Sequence, residues 1–323
     1  FAFDCLANRG LLDFGHWYLD GYSPGTPQSA GFVNRFIRAH APRLSHRRYL
    51  ADVAVVHSAW SEIASMNVFN PIMDKFVDEY CGWCDFLGDT HRQWDVVLQS
   101  DLTAQNLARY PVVVLPSVMT LTDADTSELR RYVEGGGRVV ATGETGTRYG
   151  PERYLAPREP GFSLPGARIV ADKPGVTYWR KERDAAAAQR MAELLDWPGW
   201  TPRLETDAPA TVGVNLNAGS DSSGPLLTLD LNNADLDVAT DTLRPAPAIT
   251  TTIRLPDEWR GRELQASYAT PEMQDGAPPI PLAADAASVD HQRGTLRLRT
   301  PAFDTCLIVF LRSHRLSGAT PAP

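Results

Sequence analysis

Cysteine and long apolar runs are both scarce in this sequence. Its 323 residues include four cysteines, too few for a disulfide scaffold, so the compartment stays open with the cytoplasm slightly favoured. No apolar run approaches the length of a membrane span, and the N-terminus lacks a basic-then-apolar signal pattern. We therefore expect no membrane partner.

Basic residues are outnumbered by acidic ones. The chain has 31 lysines and arginines against 39 aspartates and glutamates, which gives a net charge of −8 and a pI near 5.4. A nucleic-acid surface needs a concentrated basic footprint, so we expect no nucleic-acid partner. The 43% hydrophobic and 22% charged content is that of a globular protein, and the length suffices for two domains and a piece of a third.

The first 45 residues form one predicted strand-helix unit. The strand runs from about Leu11 to Trp17 and the helix from about Pro27 to His40, across a loop rich in glycine, proline and serine. One such unit cannot bury both faces of its strand and must belong to a larger α/β body. The chain also begins at Phe1 in the middle of a helical pattern, so we expect a missing upstream part.

Apolar strands alternate with helical segments from Asp52 to about residue 200. The predicted strands are "DVAVVHS", "WDVVLQ", "PVVVLPS" and "RVVATG", and the predicted helices cover 62–87, 122–134 and 185–197. Continuous apolar strands between helices indicate a parallel sheet covered on both faces. The economical interpretation is a doubly wound, flavodoxin-like domain.

A two-residue alternation replaces the helical period after Pro202. Six short strands are predicted between turns rich in Gly, Pro, Asp and Asn: "TVGVNLN", "LLTLDLNN", "AITTTIRLP", "ELQASYAT", "TLRLRT" and "CLIVFLR". This pattern predicts a small antiparallel β-sandwich. The final "SGATPAP" predicts a disordered tail.

The order of these pieces resembles the C-terminal half of A-type β-galactosidases and related barrel glycoside hydrolases. The likeness is strongest from Trp94 to Gly146, which includes "YPVVVLP" and "LRRYVEGGG". In that group a catalytic (β/α)8 barrel is followed by a trimerisation domain with a class I glutamine amidotransferase-like fold and by a small β domain. The resemblance implies a barrel end at 1–48, a trimerisation-type domain at 49–203, a β-sandwich at 204–314 and a tail at 315–323. It also implies a homo-oligomer, a trimer, that acts on a carbohydrate substrate without a cofactor.

The turn "TGETG" after the fourth strand is where an amidotransferase would hold its cysteine nucleophile. Gly143 occupies that position and has no side chain, and the later histidines, His291 and His314, lie in the β region. We therefore expect a retained fold that has lost its chemistry. Glu144 is either a general base at the sheet edge or, as we favour, a solvated acid, because a lone carboxylate explains no reaction.

The motif Cys81-Gly82-Trp83-Cys84 raises the possibility of thiol chemistry. A C-x-x-C pair becomes reactive when its first thiol lies at a helix N-terminus, whereas this pair is predicted late in a helix. We favour two semi-buried thiols one turn apart. Zinc would need two more ligands, and neither a second C-x-x-C nor an H-x3-H follows, so we expect no metal.

The resemblance points to sugar contacts in "DFGHWYLDG". If the strand from Leu11 is the last of a barrel, His16, Trp17 and Tyr18 lie at the catalytic rim, where rings pack against sugars and an imidazole binds hydroxyls. The two carboxylates of such enzymes lie on earlier barrel strands in the resembled family, so we expect no catalytic residue here.

Three functional hypotheses follow. We favour the accessory and assembly portion of a glycoside hydrolase. The alternatives are a stand-alone carbohydrate-binding or scaffolding protein and a thiol enzyme that uses Cys81 or Cys84.

Overall fold

The computed structural model describes residues 26–65, 76–159, 161–237, 239–240, 242–260, 262–273 and 276–314. They form two compact units: residues 51–202 are one, and residues 26–50 with the described residues from 203 onward are the other. The strand predicted from Leu11 to Trp17 and the tail 315–323 lie outside the described residues. Within the described ranges, no helix has both the length and the apolar character needed to cross a bilayer.

The helices and strands are numbered in chain order. The helices are α1 (Thr26–Leu44), α2 (Ala59–Ser65), α3 (Val77–Asp89), α4 (Ala104–Leu107), α5 (Asp123–Glu134), α6 (Pro174–Arg180) and α7 (Ala185–Leu195). The strands up to residue 206 are β1 (Arg48–Tyr49), β2 (Val53–His57), β3 (Trp94–Leu98), β4 (Val112–Pro116), β5 (Arg138–Thr142), β6 (Arg168–Ile169) and β7 (Leu204–Thr206). The remaining strands are β8 (Val212–Asp221), β9 (Gly224–Asn233), β10 (Leu236–Asp237), β11 (Thr242–Leu243), β12 (Thr250–Arg254), β13 (Glu263–Ala269), β14 (Ile280–Pro281), β15 (Ala287–Asp290), β16 (Thr295–Arg299) and β17 (Cys306–His314).

The unit 51–202 contains a five-stranded parallel sheet in the order β3-β2-β4-β5-β6. Its inner strands are apolar at consecutive positions; Val53, Ala54, Val55 and Val56 of β2 are all fully buried. Successive side chains of a strand point to opposite faces, so full burial of the run requires cover on both sides. The parallel sheet predicted from the sequence is confirmed.

Helices α3 and α7 cover one face of this sheet. Trp83 of α3 and Met191 of α7 form one buried cluster with Val55, Val114 and Val140 of the strands. Helix α5 packs against β5 and buries Leu129 and Tyr132.

Local sequence signals fix the ends of α5. The Thr122 side chain accepts a hydrogen bond from the backbone N–H of Asp125, and the Asp125 carboxylate accepts one from the N–H of Thr122. This reciprocal capping box begins the helix. The helix ends at Glu134, where the N–H of Gly136, at a φ of +93°, donates to the carbonyl of Val133.

Some elements differ from the sequence prediction. The helical pattern predicted over 62–87 is described as α2 and α3, with residues 66–75 outside the described residues. The last helix ends at Leu195 rather than at residue 197. Short β6 and α6 were not predicted, because two residues of strand and seven of helix are too few to produce a period.

The second unit contains two antiparallel sheets around one core. The larger sheet has the order β1-β8-β9-β17-β13-β14, and the smaller has the order β15-β16-β12-β7. Leu229 and Val309 of the larger sheet share a buried cluster with Ile253 and Leu298 of the smaller one. All six predicted strands are present, and the short strands β1, β7, β10, β11, β14 and β15 were missed.

Helix α1 covers the other face of the larger sheet. Phe36 and Leu44 of α1 form a buried cluster with Ile308 and Phe310 of β17. The described part of the segment 1–48 thus packs with the β-sandwich, and the predicted boundary at residue 48 stays a prediction.

A buried ion pair fastens the segment after α1 to the same sheet. Nη1 of Arg47 lies 2.7 Å from Oδ2 of Asp230 and 2.7 Å from Oγ1 of Thr228, and Nε of Arg47 donates to the carbonyl of Leu44. Both charged side chains are almost completely buried. A buried charge is tolerated only when it is paired and hydrogen-bonded, as Arg47 is here.

Candidate functional site

The turn after β5 is the place where an α/β enzyme of this pattern holds a nucleophile. Gly143 follows β5 and has a φ of +59°. A Cβ built on it would lie 2.0 Å from Oγ of Ser117 and 3.0 Å from Cγ of Lys173. The position therefore requires glycine for its backbone angle and for its space, and it cannot carry a nucleophile.

Ser117 is a feature that the sequence analysis missed. It follows β4 and has a φ of +49°, which is uncommon for a residue with a side chain. Its side chain is fully buried, and its hydroxyl has no hydrogen-bond partner among the described residues. The position and backbone conformation of Ser117, at the carboxyl end of a parallel strand, are like those of a nucleophile in an α/β enzyme. Its burial keeps the hydroxyl from any substrate.

Glu144 and Thr145 tie the turn to its surroundings. The Glu144 carboxylate lies 3.2 Å from Nζ of Lys173, and both side chains are half-buried. Oγ1 of Thr145 accepts a hydrogen bond from the N–H of Val118 and lies 2.9 Å from the carbonyl oxygen of Leu115. The turn is thus held by side-chain contacts on both flanks.

A second buried acid, Glu79 of α3, lies beside β5 and was also missed. Its carboxylate accepts hydrogen bonds from Nε1 of Trp83 at 3.0 Å, from Oγ1 of Thr142 at 2.6 Å and from the N–H of Val176 at 2.9 Å. Burial raises the pKa of Glu79, and the donated hydrogen bonds oppose that rise. The donors come from α3, β5 and α6, so Glu79 joins three elements.

The two thiols of the C-x-x-C motif are free and lie near the middle of α3. The prediction that they lie late in the helix was wrong, because α3 begins at Val77. Burial raises the pKa of Cys84 to about 12, and burial with the neighbouring Asp85 and Asp78 carboxylates raises the pKa of Cys81. Both thiols are therefore held in the unreactive neutral form at neutral pH.

A connected polar network lies at the carboxyl ends of β2, β3 and β4. Oγ of Ser58 contacts Oγ of Ser61 at 2.7 Å and also the side-chain oxygen of Gln99. Nε2 of Gln99 donates to the carbonyl of Thr120 and to Oδ2 of Asp125, both at 2.8 Å. A cavity of about 280 Å³ lies beside this network and is lined by Gln99 and Asp125 among others.

The sequence carries a signal for this network. Ser58 comes directly after the apolar β2, and Gln99 comes directly after β3. The carboxyl ends of neighbouring parallel strands meet at one edge of a sheet, so polar residues in these positions lie close together.

The residues predicted to contact sugar, His16, Trp17 and Tyr18, lie outside the described residues. Among the described residues, no group of three or more His, Cys, Asp or Glu side chains is arranged to hold a metal ion.

The family comparison gives a match within the parallel-sheet unit. Residues 51–161 match the family described as the beta-galactosidase trimerisation domain. This match, together with the solved structures below, confirms the predicted resemblance to the C-terminal portion of a β-galactosidase. No curated protein matches the sequence.

Several solved glycoside hydrolases share the fold of nearly the whole chain. Alpha-L-fucosidase isoenzyme 2 from Paenibacillus thiaminolyticus superposes with a TM-score of 0.63 at 14% identity, over 91% of this chain and 53% of the enzyme. A beta-galactosidase from Bacillus circulans sp. alkalophilus superposes with a TM-score of 0.54 at 14% identity, over 90% of this chain and 45% of the enzyme. A catalytic mutant of a GH42 beta-galactosidase from G. stearothermophilus superposes with a TM-score of 0.52 at 10% identity, over 89% of this chain and 44% of the enzyme.

At these identities the likeness shows a common fold. The chain spans about half the length of the enzymes it matches. The comparisons support an accessory C-terminal part of a glycoside hydrolase.

Proposed function

We propose that this chain is the C-terminal accessory and assembly portion of a β-galactosidase-like glycoside hydrolase, whose catalytic carboxylates lie on a barrel upstream of Phe1. The observation that carries the proposal is the trimerisation-domain match over residues 51–161. It is supported by likeness to glycoside hydrolases that extends over about nine-tenths of this chain but only half of each enzyme.

In this proposal the unit 51–202 is a flavodoxin-like, class I amidotransferase-like domain that has lost its chemistry. The strand order β3-β2-β4-β5-β6 is the 2-1-3-4-5 order of flavodoxin-like sheets. The loss of chemistry is supported by Gly143, because the Ser117 hydroxyl occupies the space that a side chain at this position would need. The raised pKa values of Cys81 and Cys84 speak against a thiol enzyme.

The segment 1–48 is the end of the barrel in this proposal. His16, Trp17 and Tyr18 then contact the carbohydrate substrate at the barrel rim, where active sites of such barrels are built. This role rests on the resemblance and on barrel geometry.

Self-assembly is the second part of the proposal. Large apolar side chains exposed on the unit 51–202 away from its cavity offer area for burial between copies: Ile63, Val96, Tyr154, Ile169 and Trp179. A contact surface between copies requires such side chains to form one contiguous patch. A closed trimer is the form that the family description suggests.

Multi-angle light scattering of the 323-residue chain tests the assembly role. We expect a mass near three times 35.5 kDa at micromolar concentration. A strictly monomeric mass across the accessible concentration range, in this chain and in a protein that includes the upstream barrel, contradicts the proposal.

A further inference from the structure

The cavity beside the polar network has the position of a ligand site in an open α/β sheet. The chain passes from β2 outward to β3 and then returns across β2 to β4, so the strand order reverses here. His57 closes β2, Gln99 follows β3, and Thr122 and Asp125 follow β4, and all four line the cavity. Open α/β sheets bind ligands at the carboxyl ends of the strands where the order reverses.

One wall of this cavity is apolar and exposed. The Trp60 side chain is 44% exposed and Leu98 is 51% exposed, and both line the cavity. An indole face in this setting accepts the C–H face of a ring-shaped ligand.

The polar residues of the lining, which contribute the smaller part of its surface, are fixed in place. Both hydrogen bonds that the Asp125 carboxylate accepts within the described residues, from Gln99 and from the N–H of Thr122, go to Oδ2, which leaves Oδ1 as an acceptor. Gln99 is in turn held by Ser58 and by the carbonyl of Thr120. A ligand therefore meets a carboxylate that is already oriented.

Further donors and acceptors lie at the rim. His57 is positioned by the edges of the Phe76 and Tyr80 rings and lies 3.6 Å from a Glu62 carboxylate oxygen. The exposed Ser100 hydroxyl also lines the cavity. Donors and acceptors thus interrupt a mainly apolar lining.

This arrangement selects among ligand classes. The carboxylate of Asp125 in the lining repels phosphates and acidic sugars. A purely apolar ligand would strip water from Asp125 without replacing its hydrogen bonds. A volume of about 280 Å³ suits one ring rather than an extended chain.

We propose that this cavity binds a neutral pyranose ring, packed on Trp60 and hydrogen-bonded through its hydroxyls to Asp125, Ser100 and His57. The ring is either a free monosaccharide or the terminal residue of an oligosaccharide. The inference goes beyond the proposed accessory role, because it assigns a ligand to the unit 51–202 itself and requires no catalytic barrel.

Saturation-transfer NMR and calorimetric titration of the 323-residue chain test the inference. The probes are galactose, fucose, glucose and their disaccharides, with choline as a cationic comparison. We expect a neutral sugar to bind with a dissociation constant on the order of 1 mM, as suits a small and open site. If monosaccharides bind, the free sugar is a sufficient ligand. If only disaccharides bind, the ligand is the terminal residue of an oligosaccharide.

Variants locate the site. Trp60→Ala should weaken sugar binding by about tenfold, the scale of one lost aromatic face, and Trp60→Phe should retain most of the affinity. Trp179→Ala is the matched control, since Trp179 is 46% exposed on the same unit and does not line the cavity. If Trp60→Ala fails to fold, Leu98→Ala replaces it, because Leu98 lies on the exposed edge strand.

Four outcomes overturn the inference. No neutral sugar binds up to about 100 mM, a concentration far above the expected dissociation constant; or sugars bind but Trp60→Ala and Trp179→Ala behave alike; or choline binds at Trp60 and sugars do not. Concentration-dependent burial of Trp60 on self-association, with no sugar effect, assigns the wall to an interface and also overturns it. The oligomer mass, measured by light scattering, tests the proposed function separately from sugar binding.

Discussion

Replacement of Gly143 tests the claim that the turn after β5 cannot carry a nucleophile. Its φ of +59° lies in the left-handed region, where a side chain costs about 1–2 kcal/mol. A new Cβ would also lie 2.0 Å from Oγ of the buried Ser117, and overpacking of this kind costs about 1–3 kcal/mol. We therefore expect Gly143→Ala to lower the free energy of unfolding by about 2–5 kcal/mol.

The effect is measured by denaturant unfolding, with hydrogen exchange of peptides from β4 and β5 to report on this unit. Ser117→Ala removes the clashing oxygen, so the double variant should recover the overpacking part, about 1–3 kcal/mol. The matched control is Gly88→Ala in α3, where a built Cβ meets no atom within 4 Å. That substitution should be neutral or slightly stabilising.

Two results refute the reasoning. Gly143→Ala could unfold at the same denaturant concentration as the original chain, which would mean that neither the angle nor the contact matters. The double variant could be no more stable than Gly143→Ala, which would remove Ser117 from the explanation.

The remaining predictions concern buried groups. A thiol with a pKa of about 12 is thiolate in about one molecule in ten thousand at pH 8. Cys84 should therefore react with iodoacetamide far more slowly than free cysteine, and its rate should rise with pH. Mass spectrometry that finds Cys81 and Cys84 alkylated at the free-cysteine rate contradicts this. Arg47→Ala should destabilise the β-sandwich unit by about 3–5 kcal/mol in denaturant unfolding, and joint replacement of Arg47 and Asp230 by leucine should cost less; equal costs would be evidence against the buried pair. Glu79→Ala should lower the free energy of unfolding by about 2–5 kcal/mol because it leaves buried donors unpaired. A decrease below about 0.5 kcal/mol, the scale of a surface change, would show that the hydrogen bonds are dispensable.

The periodic parts of the fold could be predicted from the sequence. Strands β2, β4 and β5 are continuous apolar runs, and β8 and β16 alternate, so burial on two faces or one face is visible in the residues themselves; β17 is buried along its whole apolar run because helix α1 covers its second face. The capping box at Thr122 and the glycines after Glu134 likewise mark α5 by local chemistry.

The contacts at the candidate site could not be predicted in the same way. Glu79 and Thr142 are 63 positions apart, and Ser117 meets Gly143 only because β4 and β5 pair in one register. Nothing near Glu79 in the sequence distinguishes a buried acid from a surface one. The position of such groups is set by the sheet order, which local patterns do not encode.

Glycosidase turnover by the 323-residue chain is the most direct test of its proposed accessory role. The assay uses aryl β-galactosides and aryl α-L-fucosides, with a protein that includes the upstream barrel as the positive control. Hydrolysis requires two carboxylates that flank the scissile bond, so the account predicts no turnover above background by this chain and activity in the longer protein. Robust turnover by the 323 residues alone, abolished by Glu144→Gln or by another acid substitution within the chain, would place the active site in the part assigned here to assembly and contradict the account.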